Sequence, residues 1–579
     1  MGNVRPAGHR IIQFGVFALD LRSGELRKQG AKVRLQEQPL QVLQILLENP
    51  GEVVTRDELR RRIWPANTFV DFDHGLNNAI KRLRAALGDT AERPRYIETL
   101  ARKGYRCIAT ISEDPLRIES LAVLPLENLS RDPEQEYFAE GMTEALITNL
   151  TKIGALRVVS RTSVMQYKGA RKSLREIARE LQVDGVVEGT VQRSGERLRI
   201  SAQLLHAPSD THLWAESYDR ELRDVLALQA ELAHAIAGEI RVKLTPRERT
   251  QLARTGPVNP EAYEAYLKGR FHWNKRSVEG LKKGGEYFQE AIEKDPSYAP
   301  AYAGLADSAG ILGWWCFVPP EDGCGRGKAA AIKALAVDDT IAEAHASLGF
   351  NLAHYDFDFP AAEKELQRAL ELNPRYTTAV EWHAMSLIPL GRVDEALSEI
   401  MRAVHLEPFS AILTAVAAMM FWLARKYESG ADMCRRALEL EPDFPPARRA
   451  LATILSQQGM HDSAIAEMED LVRVSGGLPV FTHVLGICYA TAGRRGDAFE
   501  VLDQLHEFST HRYVSAYLPA TIYAALNEID QAFRWIELAY QERAPWMVYT
   551  KEFPWLDNLR ADPRFQHLLR RMKFPDAAS

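Results

Sequence analysis

The chain has 579 residues, 46% hydrophobic and 26% charged, which is too long for one core and ordinary for folded globular domains, so three or more are expected. No window offers about 18 uninterrupted apolar residues and no signal peptide is evident, so the chain is read as cytoplasmic, with no membrane span expected. The formal net charge of −6 hides an asymmetry: residues 1–110 hold 19 Lys+Arg against 12 Asp+Glu, or +7, which leaves −13 for the remainder. A basic head on an acidic body is the footprint of a nucleic-acid contact confined to one end.

The head begins with FGVFALDLRSGELRKQGAKVRL, which alternates and turns at Ser23-Gly24 and Gln29-Gly30, predicting a small antiparallel sheet. QEQPLQVLQILLENPG reads as a helix with Leu40, Leu43, Leu46 and Leu47 on one face and a stop at Pro50-Gly51. Thr55 then caps a second helix, TRDELRRRIW, with Glu58 three residues on as a capping box. A third helix follows from Asp71, its apolar residues Leu76, Ala79, Ile80, Leu83 and Leu87 falling on one stripe. Its other side carries His74, Asn77, Asn78, Lys81 and Arg84, with Arg82 between the two faces. Asn and Arg can bond base edges bidentately, and Lys and Arg also neutralise phosphate. Taken alone, such a helix reads rather as an amphipathic one with a solvated basic face; the residues before it change that. After Gly88-Asp89, the β-type runs YIETL and YRCIAT flank a basic turn, Ala-Arg-Lys-Gly. Three short helices, the third polar-faced and followed by a basic hairpin, form a winged variant of the helix-turn-helix.

Over roughly residues 10–110 this resembles the effector domain of OmpR/PhoB-type response regulators, and more closely the CadC-like activators that carry it at the N-terminus. The resemblance rests on LQEQPLQVLQILLENPGEVVTRDELRRRIW, LNNAIKRLRAALGD and YIETLARKGYRC. It implies that the third helix enters the major groove, with His74, Asn77, Asn78, Lys81, Arg82 and Arg84 toward DNA, and that Thr99, Arg102 and Lys103 meet DNA from the wing. It also implies paired binding to tandem half-sites; RNA polymerase is a further candidate partner.

Beyond the short linker SEDPLRI, SLAVLPLENLS reads as a strand, residues 134–153 as an amphipathic helix, LRVVSRTSVMQY as a strand and SLREIARELQV as a helix. Hairpin strands and a helix over roughly 221–244 complete an α/β layer. AVLPLENLS, FAEGMTEALITNL and HLWAESYDREL resemble the TolB amino-terminal/FlgO-like domain, over about residues 118–245. Glu140 and Glu144 are expected to be solvated on their helix rather than a catalytic pair. No nucleophile arrangement, Walker loop or GxGxxG appears, and Cys107, Cys316, Cys324, Cys434 and Cys488 lack ligand spacing, so the chain reads as a non-enzyme without cofactor or metal.

From Pro257 the chain repeats. Pro374, Pro408 and Pro442 recur every 34 residues, as do Ala362, Ala396, Gly430, Ala464, Ala498 and Ala532. A third register, Ala384, Ala418, Ala452, Gly486 and Ala520, carries Leu387, Phe421, Leu455, Tyr489 and Tyr523 three residues further on. This period and small/large pattern are those of tetratricopeptide repeats, about eight over residues 258–545, with residues 546–575, which include WLDNLRADPRFQHLLRRM, as a closing cap. Such an array offers a concave face to a protein partner. Trp382, Trp422 and Trp535 read as packing, while Trp314 and Trp315, in the irregular stretch GWWCFVPPEDGCGRG, are the candidate partner contacts.

The fold class expected is therefore multidomain: an α+β winged helix, an α/β layer and an all-α solenoid. The functional reading is a transcriptional regulator with the later domains sensing or recruiting. The alternative is a repeat scaffold whose winged helix mediates protein interaction.

Overall fold

The computed structural model describes residues 11–574 except 22, 29–30, 65–71, 92–93, 102, 110, 113–117, 131, 241, 243, 247 and 250–257. Two compact units form: the first runs to Ile118 and the second holds most of the remainder.

In the first unit, β1 (Ile11–Phe14), β2 (Phe17–Asp20), β3 (Glu25–Lys28) and β4 (Ala31–Val33) form the expected antiparallel meander, with β8 (Ile111–Ser112) added beside β1. Helices α1 (Glu37–Glu48), α2 (Arg56–Ile63) and α3 (Phe72–Leu87) follow. Thr55 caps α2 by accepting the Glu58 N–H at 3.2 Å. Strands β6 (Ile97–Leu100) and β7 (Gly104–Cys107) make the wing, joined by β5 (Val53–Thr55) into a three-stranded sheet. The stripe predicted on α3 is the packed one: Leu76, Ala79, Ile80, Leu83 and Leu87 share one core with Val42, Leu46, Leu59 and Ile97.

The second unit opens with β9 (Ser120–Val123), β10 (Glu127–Asn128), α4 (Glu136–Thr151), β11 (Arg157–Val158), α5 (Arg161–Met165), α6 (Leu174–Leu181), β12 (Gly185–Ser194), β13 (Arg197–His206), β14 (Thr211–Glu221) and α7 (Val225–Glu239). The sheet order is β11-β9-β12-β13-β14, with β11, β9 and β12 parallel. LRVVSRTSVMQY is not one strand. Only Arg157–Val158 pair; Ser160 then accepts the Ser163 N–H and starts α5.

Among the described residues, eight helix pairs follow: α8/α9 (Pro260–Trp273, Val278–Lys294), α10/α11 (Ala299–Trp314, Arg326–Val337), α12/α13 (Ala342–Asn351, Phe359–Leu372), α14/α15 (Thr377–Leu387, Val393–Leu406), α16/α17 (Ala411–Leu423, Tyr427–Leu440), α18/α19 (Pro445–Gln457, His461–Val474), α20/α21 (Pro479–Thr491, Arg495–Ser509) and α22/α23 (Tyr517–Ala525, Ile529–Gln541). The small registers are fully buried: Ala362, Ala396, Ala384, Ala418 and Ala452 are all 0% exposed. A side chain at Gly486 would sit 2.8 Å from Ile522 of the next pair, which is why that register stays small. Each periodic proline lies two residues past a helix end, at Leu372, Leu406 and Leu440, where a missing N–H costs nothing. Single-turn segments Pro545–Tyr549 and Pro554–Leu559 and helix α24 (Pro563–Arg571) close the chain.

Candidate nucleic-acid interface

On α3, Asn78 and Lys81 are exposed and make no hydrogen bond or ion pair among the described residues. His74 is also exposed. Arg82 is exposed and donates to Gln36, just before α1. The other two polar residues are held by partners within the unit. Asn77 Oδ1 accepts from Arg56 Nη2 at 2.7 Å and from the Tyr105 hydroxyl at 3.2 Å. Arg56 also donates to that hydroxyl at 3.0 Å, so the first residue of α2, the face of α3 and strand β7 share one network.

Arg84 is half-buried. Its Nη2 donates to the Ile97 carbonyl at 2.7 Å and to the Thr99 hydroxyl at 2.8 Å. Thus Arg84 and Thr99, both expected to face DNA, meet each other and tie α3 to the wing. The reason is the length of the guanidinium stem, which reaches the strand packed alongside. Lys103 is exposed at the wing turn, closed by its N–H to the Leu100 carbonyl at 3.0 Å; Arg102 lies outside the described residues. Two residues that sequence reasoning missed shape this site. Asp89 is 7% exposed and its carboxylate accepts the N–H groups of Thr90, Arg95, Tyr96 and Ile97, which fixes the path from α3 into β6. Gly104 lies against β5: a Cβ there would stand 2.0 Å from the Val54 carbonyl oxygen.

The second unit departs from two expectations. Glu140 and Glu144 are not solvated. Glu140 pairs with Arg161 at 2.6 Å and with Lys168 at 2.7 Å. Glu144 accepts from Arg270 Nε at 2.8 Å and from Asn274 at 2.8 Å, so it joins α4 to α8. Burial opposes its ionisation, but Arg270 and Arg161 more than offset that and hold the carboxyl below the usual range.

Trp314 is enclosed within the unit, while Trp315 is half-buried. Trp314 is 6% exposed and stacks on Trp546 at 5.2 Å, and Trp546 Nε1 donates to the Trp314 carbonyl at 2.7 Å. Arg449, buried without an ion pair among the described residues, lies 5.6 Å from the Trp315 ring and 5.0 Å from that of Trp546. The same returning segment puts Phe553 and Trp555 on Trp422, at 5.2 and 4.7 Å, and pairs Asp557 with Arg425 at 2.6 Å. Trp422 itself is packing, as expected. The five cysteines are buried free thiols.

Residues 30–107 match the family described as transcriptional regulatory protein, C terminal, and residues 117–235 match the second domain of HilA/YgeH-like transcriptional regulators. The N-terminal unit is thus a regulator DNA-binding domain of the OmpR/PhoB type. The chain is 33% identical over 314 residues to a Rhizobium meliloti (strain 1021) protein named "Putative adenylate cyclase 3", covering 53% of this chain and 52% of that one; it spans about half the length of this relative. It is 22% identical over 477 residues to the transcriptional regulator HilA of Salmonella typhimurium, covering 80% of this chain and 82% of that one. A solved relative is a thermophilic repeat protein of Thermus thermophilus, with 17% identity, TM-score 0.29, and coverage of 34% of this chain and 98% of that one. No helix among the described residues is long and apolar enough to cross a membrane.

Proposed function

We propose that the whole chain is a non-enzymatic transcriptional regulator that binds double-stranded promoter DNA through residues 10–110. The observation that carries this reading is α3, where Asn78 and Lys81 stand exposed without internal partners on the face opposite the packed stripe. Asn78 is placed to read a base edge, and Lys81, Arg82 and His74 to meet the duplex beside it. Asn77, Arg84 and Thr99 act mainly by fixing helix and wing in register, with Asn77 keeping its amide N–H2 for a base. Lys103 and Arg102 supply the wing's phosphate contact.

In this reading residues 118–245 form a regulatory α/β domain like the TolB amino-terminal/FlgO-like kind, residues 258–545 a repeat platform for a protein partner, and residues 546–575 its closure. The CadC-like resemblance adds a dimer on tandem half-sites, and the reading further includes contact with RNA polymerase and a cytoplasmic location. If roughly four to six cations touch phosphate, affinity falls steeply with salt. The test is selection from a random duplex pool with the purified full chain at graded salt. Enrichment of a repeated half-site supports the reading; an unenriched pool leaves the scaffold alternative. Conversion of ATP to cyclic AMP by the purified chain would overturn the non-enzymatic part.

A further inference from the structure

The first helices of the repeat pairs line one inner face, and the chain itself covers much of it. The returning segment around Trp546, Phe553 and Trp555 covers α18, α20, α22, the Trp314 end of α10 and the Trp422 end of α16. The remaining part, from α8 to α16, opens onto a cavity of about 1380 Å³ whose other wall is made by α4, α5 and α7 of the α/β domain. That exceeds the ~300–1,000 Å³ of ordinary small-molecule sites, and such sites favour the joint between domains.

Three of the charged groups lining it lack a close ion pair among the described residues. Arg276, in the α8–α9 turn at φ +53°, lies 3.6 Å over the Trp273 ring and makes no ion pair among the described residues. Glu381, on α14, has no hydrogen bond or ion pair among them either, and burial pushes its carboxyl up to about 7 against the pull of Arg276. Asp307, on α10, is 1% exposed. One of its oxygens accepts the Ser347 hydroxyl, while Oδ2 is enclosed with no hydrogen bond, and Arg270 approaches no closer than 3.9 Å. Burial likewise pushes the Asp307 carboxyl up to about 6. A dianion would meet Glu381 and Asp307, and a dication would meet Arg276 and Arg270. A molecule carrying both signs satisfies the cavity. A folded partner has no free face here, because α4, α5 and α7 already stand opposite.

We propose that this cavity binds a small zwitterion of the amino-acid class, its anionic end on Arg276 over the Trp273 ring and its ammonium end on Glu381 and Asp307. Bound there, it touches both the α/β domain and the repeats, and so stabilises their joint. The inference concerns the second unit alone and stands whether or not the first reads DNA.

The test is calorimetric titration and thermal unfolding of the full chain with glycine, 4-aminobutyrate and 6-aminohexanoate. Hexane-1,6-diamine and adipate serve as single-sign controls, and a short Gly-Ser peptide blocked at both ends (N-acetyl, C-amide) as the extended-chain control. At saturation at least one zwitterion raises the Tm of the second unit by about 2–4 °C, while the controls do not. Arg276→Gln and Glu381→Gln, each with parental circular dichroism, weaken that binding about tenfold or more. The idea is overturned if no zwitterion binds, if a single-sign control or only the peptide binds, or if both variants bind like the parent.

Discussion

The polar face of α3 and the inner face of the repeats are both candidate contact surfaces, and the chain treats them in opposite ways. On α3, Asn78 and Lys81 are left to water. Along the inner helices, Trp314 has Trp546, Trp422 has Phe553 and Trp555, and Arg425 has Asp557. The physics differs accordingly. A duplex is met by exchanging hydrated charges and hydrogen bonds, so exposed donors cost little while they wait. Large indoles left open would form an apolar patch of the kind monomeric proteins avoid, so the chain covers them itself. A solenoid's concave side is therefore a binding site only where the rest of the sequence leaves it open.

The sharpest break concerns the wing. Gly104→Ala places a methyl 2.0 Å from the Val54 carbonyl, an overlap that backbone cannot relieve without moving β5 from β7. The loss is expected to exceed about 4 kcal/mol, read as an early unfolding step of the first unit in urea, with DNA binding gone and the repeat transition unchanged. A variant that melts and binds like the parent would mean the wing is not built on that contact.

Next comes the covered inner face. Trp546→Ala removes the ring between Trp314 and Arg449 and leaves the guanidinium with one indole. We expect about 3 kcal/mol of lost stability in the repeat unit and a red-shifted tryptophan emission as Trp314 becomes wet. An unshifted spectrum would show that the returning segment is not what keeps the inner face dry. For α3, Asn78→Ala should cost about 1–3 kcal/mol on the selected half-site and little on unrelated duplex, whereas Lys81→Ala should weaken both and flatten the salt slope by about one. Equal losses from the two variants on both duplexes would erase the division between reading and anchoring.

What can be read from the sequence is what local spacing encodes. The 34-residue period records side-chain size, and the stripe on α3 records which face is buried. Partners far apart in sequence leave no such mark. Glu144 meets Arg270 across 126 positions, and Trp314 meets Trp546 across 232, so spacing alone makes Glu144 a solvated carboxylate and Trp314 a free indole. Arg84 is misplaced for a nearer reason: its spacing puts it on the polar side, but its stem bends to Thr99, 15 positions on. In LRVVSRTSVMQY the β-branched run suggests a strand, although Ser160 carries the cap signal for α5.

The smallest effect separates the open cavity from the covered part of the inner face by pH. Burial raises the Glu381 carboxyl to about 7 from an unfolded value near 4.5, so folding disfavours its ionised form. The penalty is absent below about pH 4.5, grows between the two values, and is complete above about pH 7. Glutamine does not titrate. Glu381→Gln should therefore match the parent near pH 4 and exceed it near pH 8 by about 1–2 kcal/mol, less than the full shift implies because the cavity admits water. Urea unfolding at the two pH values measures it. If Arg276 instead stabilises the carboxylate as a true ion pair, the sign reverses and the variant is weaker at pH 8, which would leave Arg276 without spare capacity for an anion.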